Sequence, residues 1–138
     1  MASILQQITD RLTVVIAASL PVGASFWQDR ADPISREEAP GINLVVHDIQ
    51  SEQFSDDMTL HALEVDLQLH ERVEPFTPAA EGLHQAVHAA IVNDMVLKGL
   101  ADGIRLVDQN ATLAEADETA GVKTARYRFK YLIPTNSI

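Results

Sequence analysis

The feature that most constrains the fold is residues 122–133, where apolar and polar side chains alternate. One parity carries Ala125, Tyr127, Phe129, Tyr131 and Ile133, and the other carries Thr124, Arg126, Arg128 and Lys130. Alternation with period two is typical of a β-strand with one buried face. Such a strand must pair with others, so the sequence predicts a sheet that closes on this stretch.

Size and composition predict one globular domain over residues 1–138. An apolar fraction of 46% with 22% charged residues is far from the composition of disordered chains. There are 20 acidic and 10 basic residues, a formal charge of -10, which opposes binding to phosphate backbones.

The chain has no cysteine, so disulfides and zinc–thiolate sites are excluded. The longest apolar run, residues 12–27, is broken by Pro21 and Gly23, so no membrane span is expected.

Helical spacing predicts an amphipathic first helix over residues 3–19. Ser3 and Gln6 have the spacing of a capping box. Apolar residues then recur on one helical face, as Ile4, Leu5, Ile8, Leu12, Val15 and Ile16. Pro21 ends the helix because proline lacks a backbone donor.

Two strands are predicted in the middle of the chain. Residues 24–27 suit a short strand or a docked loop, and residues 28–41, with two prolines and six charges, are predicted to be an exposed connector. Residues 42–47 alternate as a strand, residues 48–57 are polar and predict a break, and residues 58–70 alternate more cleanly. The last of these strands has Leu63, Val65, Leu67 and Leu69 on one face and Glu64, Asp66, Gln68 and His70 on the other.

A second helix is predicted over residues 78–97, because Thr77 followed by Pro78 is a helix start signal. Its inward stripe is predicted to contain Leu83, Val87, Ala90, Ile91 and Met95. Residues 104–107 read as a strand, and the acidic, alanine-rich residues 108–121 as a loop before the closing strand.

The predicted fold class is therefore α+β, with a mainly antiparallel sheet of four to five strands packed by two helices. The expected order is helix, short strand, two strands, helix and two strands, with both helices on the apolar face of the sheet. A split β-α-β arrangement is the closest alternative.

His84 and His88 are four residues apart on the predicted second helix, a spacing that can ligate a metal when a carboxylate such as Glu81 is near. No glutamate lies between the two histidines where a metalloprotease would need its base. The preferred interpretation is therefore a helix surface or a subunit contact, with no metal and no cofactor.

Signatures of enzymes are missing from the sequence. No serine or cysteine stands in a nucleophile-elbow context, and no glycine-rich phosphate loop is present, while His47, His61 and His70 are scattered. The expectation is a protein that is not an enzyme. If the sheet encloses a pocket instead, His61 and Tyr127 are the polar candidates on its apolar faces.

Glu64 and Asp66 form a carboxylate pair on one strand face, and such a pair can serve as acid and base. The simpler interpretation is that Arg126, Arg128 and Lys130 of the closing strand neutralise them across the sheet. The same five side chains, Glu64, Asp66, Arg126, Arg128 and Lys130, are candidates for a subunit interface.

The element order and two strand sequences resemble a known family. Residues 40–46 read Pro-Gly-Ile-Asn-Leu-Val-Val, and residues 125–132 read Ala-Arg-Tyr-Arg-Phe-Lys-Tyr-Leu. With the first helix, the connector and the mid-chain helix, the chain resembles the minor tail proteins that terminate the tail tube of long-tailed bacteriophages, the family of the phage lambda tail terminator.

The resemblance implies a structural virion protein that forms a hexameric ring on the end of the tail tube. Such a ring stops tail polymerisation and provides the surface to which the head attaches, so the implied partners are other copies of the chain, the tail tube protein and a head-completion protein. An acidic ring suits a channel that DNA passes without binding. Two alternatives remain open at this point: another head–tail connector or neck protein, and a small-molecule-binding α+β domain.

Overall fold

The computed structural model describes residues 2–112 and 121–138. Within this part the helices are α1 (Ile4–Ser19), α2 (Phe76–Val92) and α3 (Met95–Leu100). The strands are β1 (Ser25–Gln28), β2 (Gly41–Gln53), β3 (Met58–Glu71), β4 (Gly103–Thr112) and β5 (Gly121–Pro134). The predicted α+β class is confirmed, with one more helix than the two expected.

All five strands form one sheet in the order β1-β2-β3-β5-β4. β2, β3, β5 and β4 pair antiparallel, as predicted, whereas β1 pairs parallel with β2, so the sheet is mixed. The late strand β5 lies between β3 and β4, which confirms that the sheet closes on it.

The second half of the chain contains the split β-α-β arrangement that was the alternative topology. β3 and β4 are each antiparallel to β5 and are therefore parallel to one another. The connection between them runs through α2 and α3, and β5 is inserted between the two parallel strands.

The core lies between the helices and one face of the sheet. The apolar faces of β3 and β5, predicted from the alternation of their side chains, are buried there together with the inward residues of the helices. The fully buried side chains include Ile8, Leu12, Ile16, Leu63, Val65, Leu67, Leu69, Val87, Ile91, Leu97, Tyr127 and Phe129. Pairing two alternating strands therefore leaves the opposite face of the sheet to polar residues.

The start of α1 follows the predicted capping pattern. The Ser3 hydroxyl accepts a hydrogen bond from the backbone N–H of Gln6 at 3.1 Å, which satisfies one of the free donors of the first turn. The Gln6 side chain binds Asp10 instead of reaching back to Ser3, so only half of the capping box is present.

The prediction of one long second helix was wrong, because the chain forms two helices separated at Asn93 and Asp94. The Asp94 carboxylate caps α3 by accepting from Leu97 N–H at 3.0 Å, and it also binds the guanidinium of Arg11 on α1 at 2.7 and 3.0 Å. This break turns Met95 outward, where 76% of its surface is exposed, and Leu97 takes the buried position.

Two stretches predicted as loops are strands. β2 continues through Gln53, so the turn of the β2–β3 hairpin is confined to residues 54–57 instead of 48–57. β4 continues through Thr112, so the first five residues of the predicted loop at 108–121 are strand, and residues 113–120 lie outside the described residues. Both stretches are largely exposed on the two faces of the sheet, so their sequences lack alternation.

The predicted exposed connector is only partly exposed. Asn43 of β2 binds the backbone of Arg30 twice, accepting from its N–H at 3.2 Å and donating to its carbonyl at 2.8 Å. Arg30 also pairs with Glu38 through two hydrogen bonds, while Ile34 and Ala39 are buried. These contacts hold the segment that joins the parallel strands β1 and β2.

Substituting alanine for each of two glycines, one in β2 and one in α2, tests the packing of β1 on β2. A Cβ on Gly41 would lie 2.9 Å from the Ser25 carbonyl oxygen and closer still to two carbons of the Trp27 ring, whereas one on Gly82 of α2 would meet nothing within 4 Å. We expect Gly41→Ala to lower the free energy of unfolding by roughly 1–3 kcal/mol through overpacking. Gly82→Ala should raise it by about 0.5–1 kcal/mol, because alanine favours the helix. Urea unfolding measures both, and equal effects would contradict the close packing of Gly41 against Trp27.

Candidate functional site

The sheet face opposite the helices, here called the outer face, carries the five predicted interface residues. Arg126 donates to both oxygens of Asp66, at 2.9 and 3.3 Å, and Arg128 donates twice to Glu64 Oε2, at 3.0 and 2.7 Å. These residues lie directly opposite one another in the β3–β5 register. The sequence expectation that the closing strand neutralises the carboxylates is therefore confirmed for both pairs.

One row across the outer face separates charge by sign. Asp48 of β2 lies opposite Glu64 of β3, which lies opposite Arg128 of β5, which in turn lies opposite Arg105 of β4. The row therefore reads acid, acid, base, base from one side of the sheet to the other. Because the two central charges pair with each other, the uncompensated charge is negative on β2 and positive on β4.

Lys130 strengthens the positive side of the outer face. It lies opposite Ala62 on β3 and Gly103 on β4, its side chain is exposed, and no carboxylate of the described residues pairs with it. Glu52 is exposed on β2 opposite Leu60, at the negative side. The two arginines of the predicted set are thus satisfied within the chain, and Lys130 is available to another molecule.

A charge exchange tests the internal pair. Arg128→Glu places two carboxylates opposite each other and should lower the free energy of unfolding by about 1 kcal/mol or less beyond the loss of the pair itself. The double variant Glu64→Arg with Arg128→Glu restores opposite charges and should recover most of this loss. Chemical unfolding of the two single variants and the double variant measures the coupling. Strict additivity would show that the pair contributes nothing to stability.

A second constellation lies on the other side of the sheet, between α2 and β5. We call it the polar cluster: Glu81, His84 and His88 of α2 with Lys123 and Tyr127 of β5. Lys123 Nζ binds a Glu81 carboxylate oxygen and lies 2.9 Å from His84 Nδ1. The Tyr127 hydroxyl lies 2.7 Å from His84 Nε2 and 2.6 Å from His88 Nδ1. Lys123, His84 and Tyr127 are all at least nine-tenths buried.

Only one arrangement of protons satisfies every contact of the polar cluster when Lys123 is an ammonium group. An ammonium only donates, so His84 Nδ1 must accept and the neutral imidazole carries its proton on Nε2. His84 Nε2–H then donates to the Tyr127 oxygen, which leaves the Tyr127 O–H to donate to His88 Nδ1. The cluster is therefore a directed chain of hydrogen bonds from Lys123 to His88.

The electrostatics of the polar cluster agree with this neutral His84. Burial, reinforced by the Lys123 charge, lowers the pKa of His84 to about 4. Burial raises the pKa of the Tyr127 phenol. The hydrogen bond from Lys123 lowers the pKa of Glu81. At neutral pH the imidazole of His84 and the phenol of Tyr127 are thus uncharged.

Sequence reasoning placed His84 wrongly, and it missed Lys123. His84 is 5% exposed and faces the sheet, so it does not lie on a helix surface, and Glu81 binds Lys123 in place of His84. The missed signal was parity: Lys123 is an odd position of β5, and the odd positions from Ala125 onward are all apolar. A lysine at a core-facing position of an alternating strand requires a partner on the element packed above it.

The remaining histidines do not form a common site in the described residues. His47 lies on the outer face near Arg126, at 3.2 Å, and His61 packs against the Tyr131 ring with centroids 5.3 Å apart. His70 lies edge-on to Trp27. Over residues 2–112 and 121–138, no group of three or more potential ligands has a geometry that could hold a metal ion.

The sequence was compared with models of protein families and with curated proteins. No protein-family model matches the chain, and no curated protein matches its sequence. Among the described helices, none combines the length and the apolar character needed to cross a membrane.

The buried histidines predict a stability that falls in mild acid. His84 and His70 both have pKa values lowered by burial to about 4, from an ordinary 6.5. As the pH drops from 6.5 towards 4, the two histidines bind protons in the unfolded chain but not in the folded chain. Their contribution to the free energy of unfolding is therefore fully present above pH 6.5 and is lost progressively as the pH falls towards 4. Each histidine contributes at most roughly 1.4 kcal/mol per pH unit over this window.

His84→Gln isolates the contribution of the polar cluster, because glutamine can still hydrogen-bond but does not titrate. Urea unfolding from pH 7 to 4.5 should show a slope of stability against pH that is about half that of the wild-type chain. His70→Gln should leave the complementary half. An unchanged slope in His84→Gln would contradict the assigned neutral, buried imidazole.

Proposed function

We propose that this chain is a structural protein of a bacteriophage tail that forms a ring on the end of the tail tube. In this role it terminates tail polymerisation and provides the surface for head attachment, as the resemblance to the tail terminator family implies. The observation that supports the proposal best is the separation of charge across the outer face, from Asp48 and Glu52 on one side to Arg105 and Lys130 on the other.

Opposite charges on opposite sides favour contacts between different surfaces of two copies. The side of one copy that carries Arg105 and Lys130 is complementary to the side of the next that carries Asp48 and Glu52. A contact between unlike surfaces is heterologous and generates a ring when the rotation closes. A two-fold dimer through the same side would instead oppose like charges. The outer face therefore favours a cyclic assembly, for which the family resemblance implies six copies.

The edge of the sheet at β4 also favours contact with a second copy of the chain. β4 has ten residues, pairs on one side with β5, and pairs with no other described strand on its other side. A long edge strand exposes backbone donors and acceptors that invite another chain. A neighbouring copy that covers this edge would satisfy those groups.

Partners and location follow from the same proposal. The two ends of the ring meet the tail tube protein and a head-completion protein, and the site of action is the virion, assembled in the bacterial cytoplasm. The formal charge of -10 suits a passage through which DNA moves without adhering. A head–tail connector placed at the neck is the nearest alternative, and immunolabelling of assembled virions separates the two locations.

Charge reversal on the positive side tests the ring. Arg105→Glu with Lys130→Glu should convert a multimer of the 15.1 kDa chain into monomers without lowering the melting temperature, because neither side chain forms an ion pair within residues 2–112 and 121–138. Lys98→Glu makes the same kind of change on exposed α3 and should leave assembly intact. Light scattering and negative-stain microscopy measure the assembly.

A compensating reversal makes the test specific. Adding Asp48→Lys and Glu52→Lys to the double variant inverts both sides and should restore rings that bind the ends of purified tail tubes. A wild-type chain that remains strictly monomeric and does not bind tube ends would contradict the proposal.

A second candidate function, a small-molecule-binding α+β domain, is favoured by a separate observation. The polar cluster buries a lysine that lines a surface groove, with a buried histidine beside it, where a purely structural core would place apolar residues. This side of the sheet lies opposite the outer face, so the two functions involve different surfaces.

A further inference from the structure

Lys123 is the residue of the polar cluster whose burial costs the most free energy. Its side chain is 7% exposed, and a buried ammonium is expensive unless its donors are satisfied. Replacing buried ionic groups with apolar residues is often neutral or stabilising. Since the neighbouring core positions of β5 are apolar, packing alone does not account for a lysine here.

A groove of about 310 Å³ opens next to Lys123, between the first turns of α2 and the ends of β4 and β5. Phe76 and Ala80 of α2 and Ala111 of β4 give it an apolar surface. Thr77, Glu81, Gln109, Asn110 and Lys123 supply its polar groups. Lys123 is the buried charged member of this lining, and among the described residues only Glu81 and His84 bind its ammonium group.

Two charged groups of the groove have unused hydrogen-bonding capacity within the described residues. The Lys123 ammonium has three donors, of which Glu81 and His84 take two. Glu81 uses one carboxylate oxygen for Lys123, and its side chain is 48% exposed. Counting contacts from the described residues only, the groove therefore offers one cationic donor and one anionic acceptor on groups that already touch each other.

We propose that this groove binds a small zwitterion of the α-amino acid class. The carboxylate of the ligand accepts from the third donor of Lys123, and its ammonium group donates to the free oxygen of Glu81. Because the two protein charges are in direct contact, the ligand charges must also be close together, as they are on a single α-carbon.

A zwitterion fits better than a simple carboxylate or a simple amine. A lone carboxylate would either lie beside Glu81, with repulsion between like charges, or displace a Glu81 that is tethered at high effective concentration. A lone amine would compete with Lys123 for Glu81 in the same way. A zwitterion keeps both protein charges paired and adds two new charge-assisted hydrogen bonds.

The groove also limits the side chain of the ligand. A volume of 310 Å³ accommodates on the order of ten non-hydrogen atoms at the volume of a water molecule each. Phe76 and Ala80 offer apolar contact, so an aliphatic amino acid the size of leucine fills the space. The proposal rests on the second candidate function and is independent of ring formation.

Three matched probes test the proposal on the full chain: L-leucine, 4-methylpentanoate, which lacks the ammonium group, and 3-methylbutylamine, which lacks the carboxylate. Nuclear magnetic resonance of the His84 ring, whose Nδ1 shares Lys123 with the ligand, reports binding. We expect L-leucine to shift these signals saturably, with at least tenfold lower apparent affinity for each of the other two probes. Equal affinity for 4-methylpentanoate, or no saturable shift with leucine, would overturn the proposal.

Variants separate the groove from nonspecific binding. Lys123→Met should abolish the leucine response while the chain stays folded, and Glu81→Gln, at an exposed position, should weaken leucine at least tenfold. Lys98→Met removes an exposed lysine elsewhere and should change nothing. Retention of leucine binding in Lys123→Met or Glu81→Gln would overturn the assignment.

A thermal-shift panel of metabolites separates the ligand class from the broader function. A rise in melting temperature with aliphatic amino acids supports the proposal. A rise with an unrelated metabolite and none with leucine would overturn the amino acid assignment and leave the small-molecule function standing. Light scattering in the same samples follows ring formation separately, because the outer face lies on the other side of the sheet.

Discussion

The antiparallel pairing of β3 with β5 is the constraint on which the rest of the structure depends. All 14 residues of each strand are in register, from Met58 opposite Pro134 to Glu71 opposite Gly121. Because side chains alternate, this single register decides which residues enter the core and which form ion pairs. A shift by one residue would place Arg126 and Arg128 in the core and Tyr127 in solvent. The pairs Glu64–Arg128 and Asp66–Arg126 thus favour the same register that core packing requires.

Strongly periodic elements were predictable from the sequence to within one or two residues. The closing strand, the strand over 58–70 and the first helix all have one apolar face, so their burial leaves a repeating pattern. Polar stretches were not predictable in the same way. Residues 48–53 and 108–112 are strands exposed to solvent, and an exposed strand has the composition of a loop. The break before α3 depends on Asp94, whose double role with Arg11 joins residues distant in sequence.

The two constellations differ in how much of them the sequence contained. The charges of the outer face were predictable because alternation fixes their parity, although the partner of each charge depends on register. The polar cluster was not predicted, because helical periodicity does not show whether His84, beside Leu83 and near Val87, faces the sheet or the solvent. Lys123 is the one charged residue at the apolar parity of its strand, and the structure shows that this exception marks the buried cluster.

The position of β5 has a consequence for synthesis on the ribosome. β2 precedes β3 in the chain, whereas the partner on the other side of β3 follows about 50 residues later, since Gly121 pairs with Glu71. During this delay β3 is an exposed edge that nascent chains on the same messenger could pair with one another. An antiparallel pair of two β3 edges would bring Glu64 and Asp66 of one chain near those of the other. Their mutual repulsion disfavours this pairing, so the same carboxylates that favour the final register also oppose misassembly at this edge.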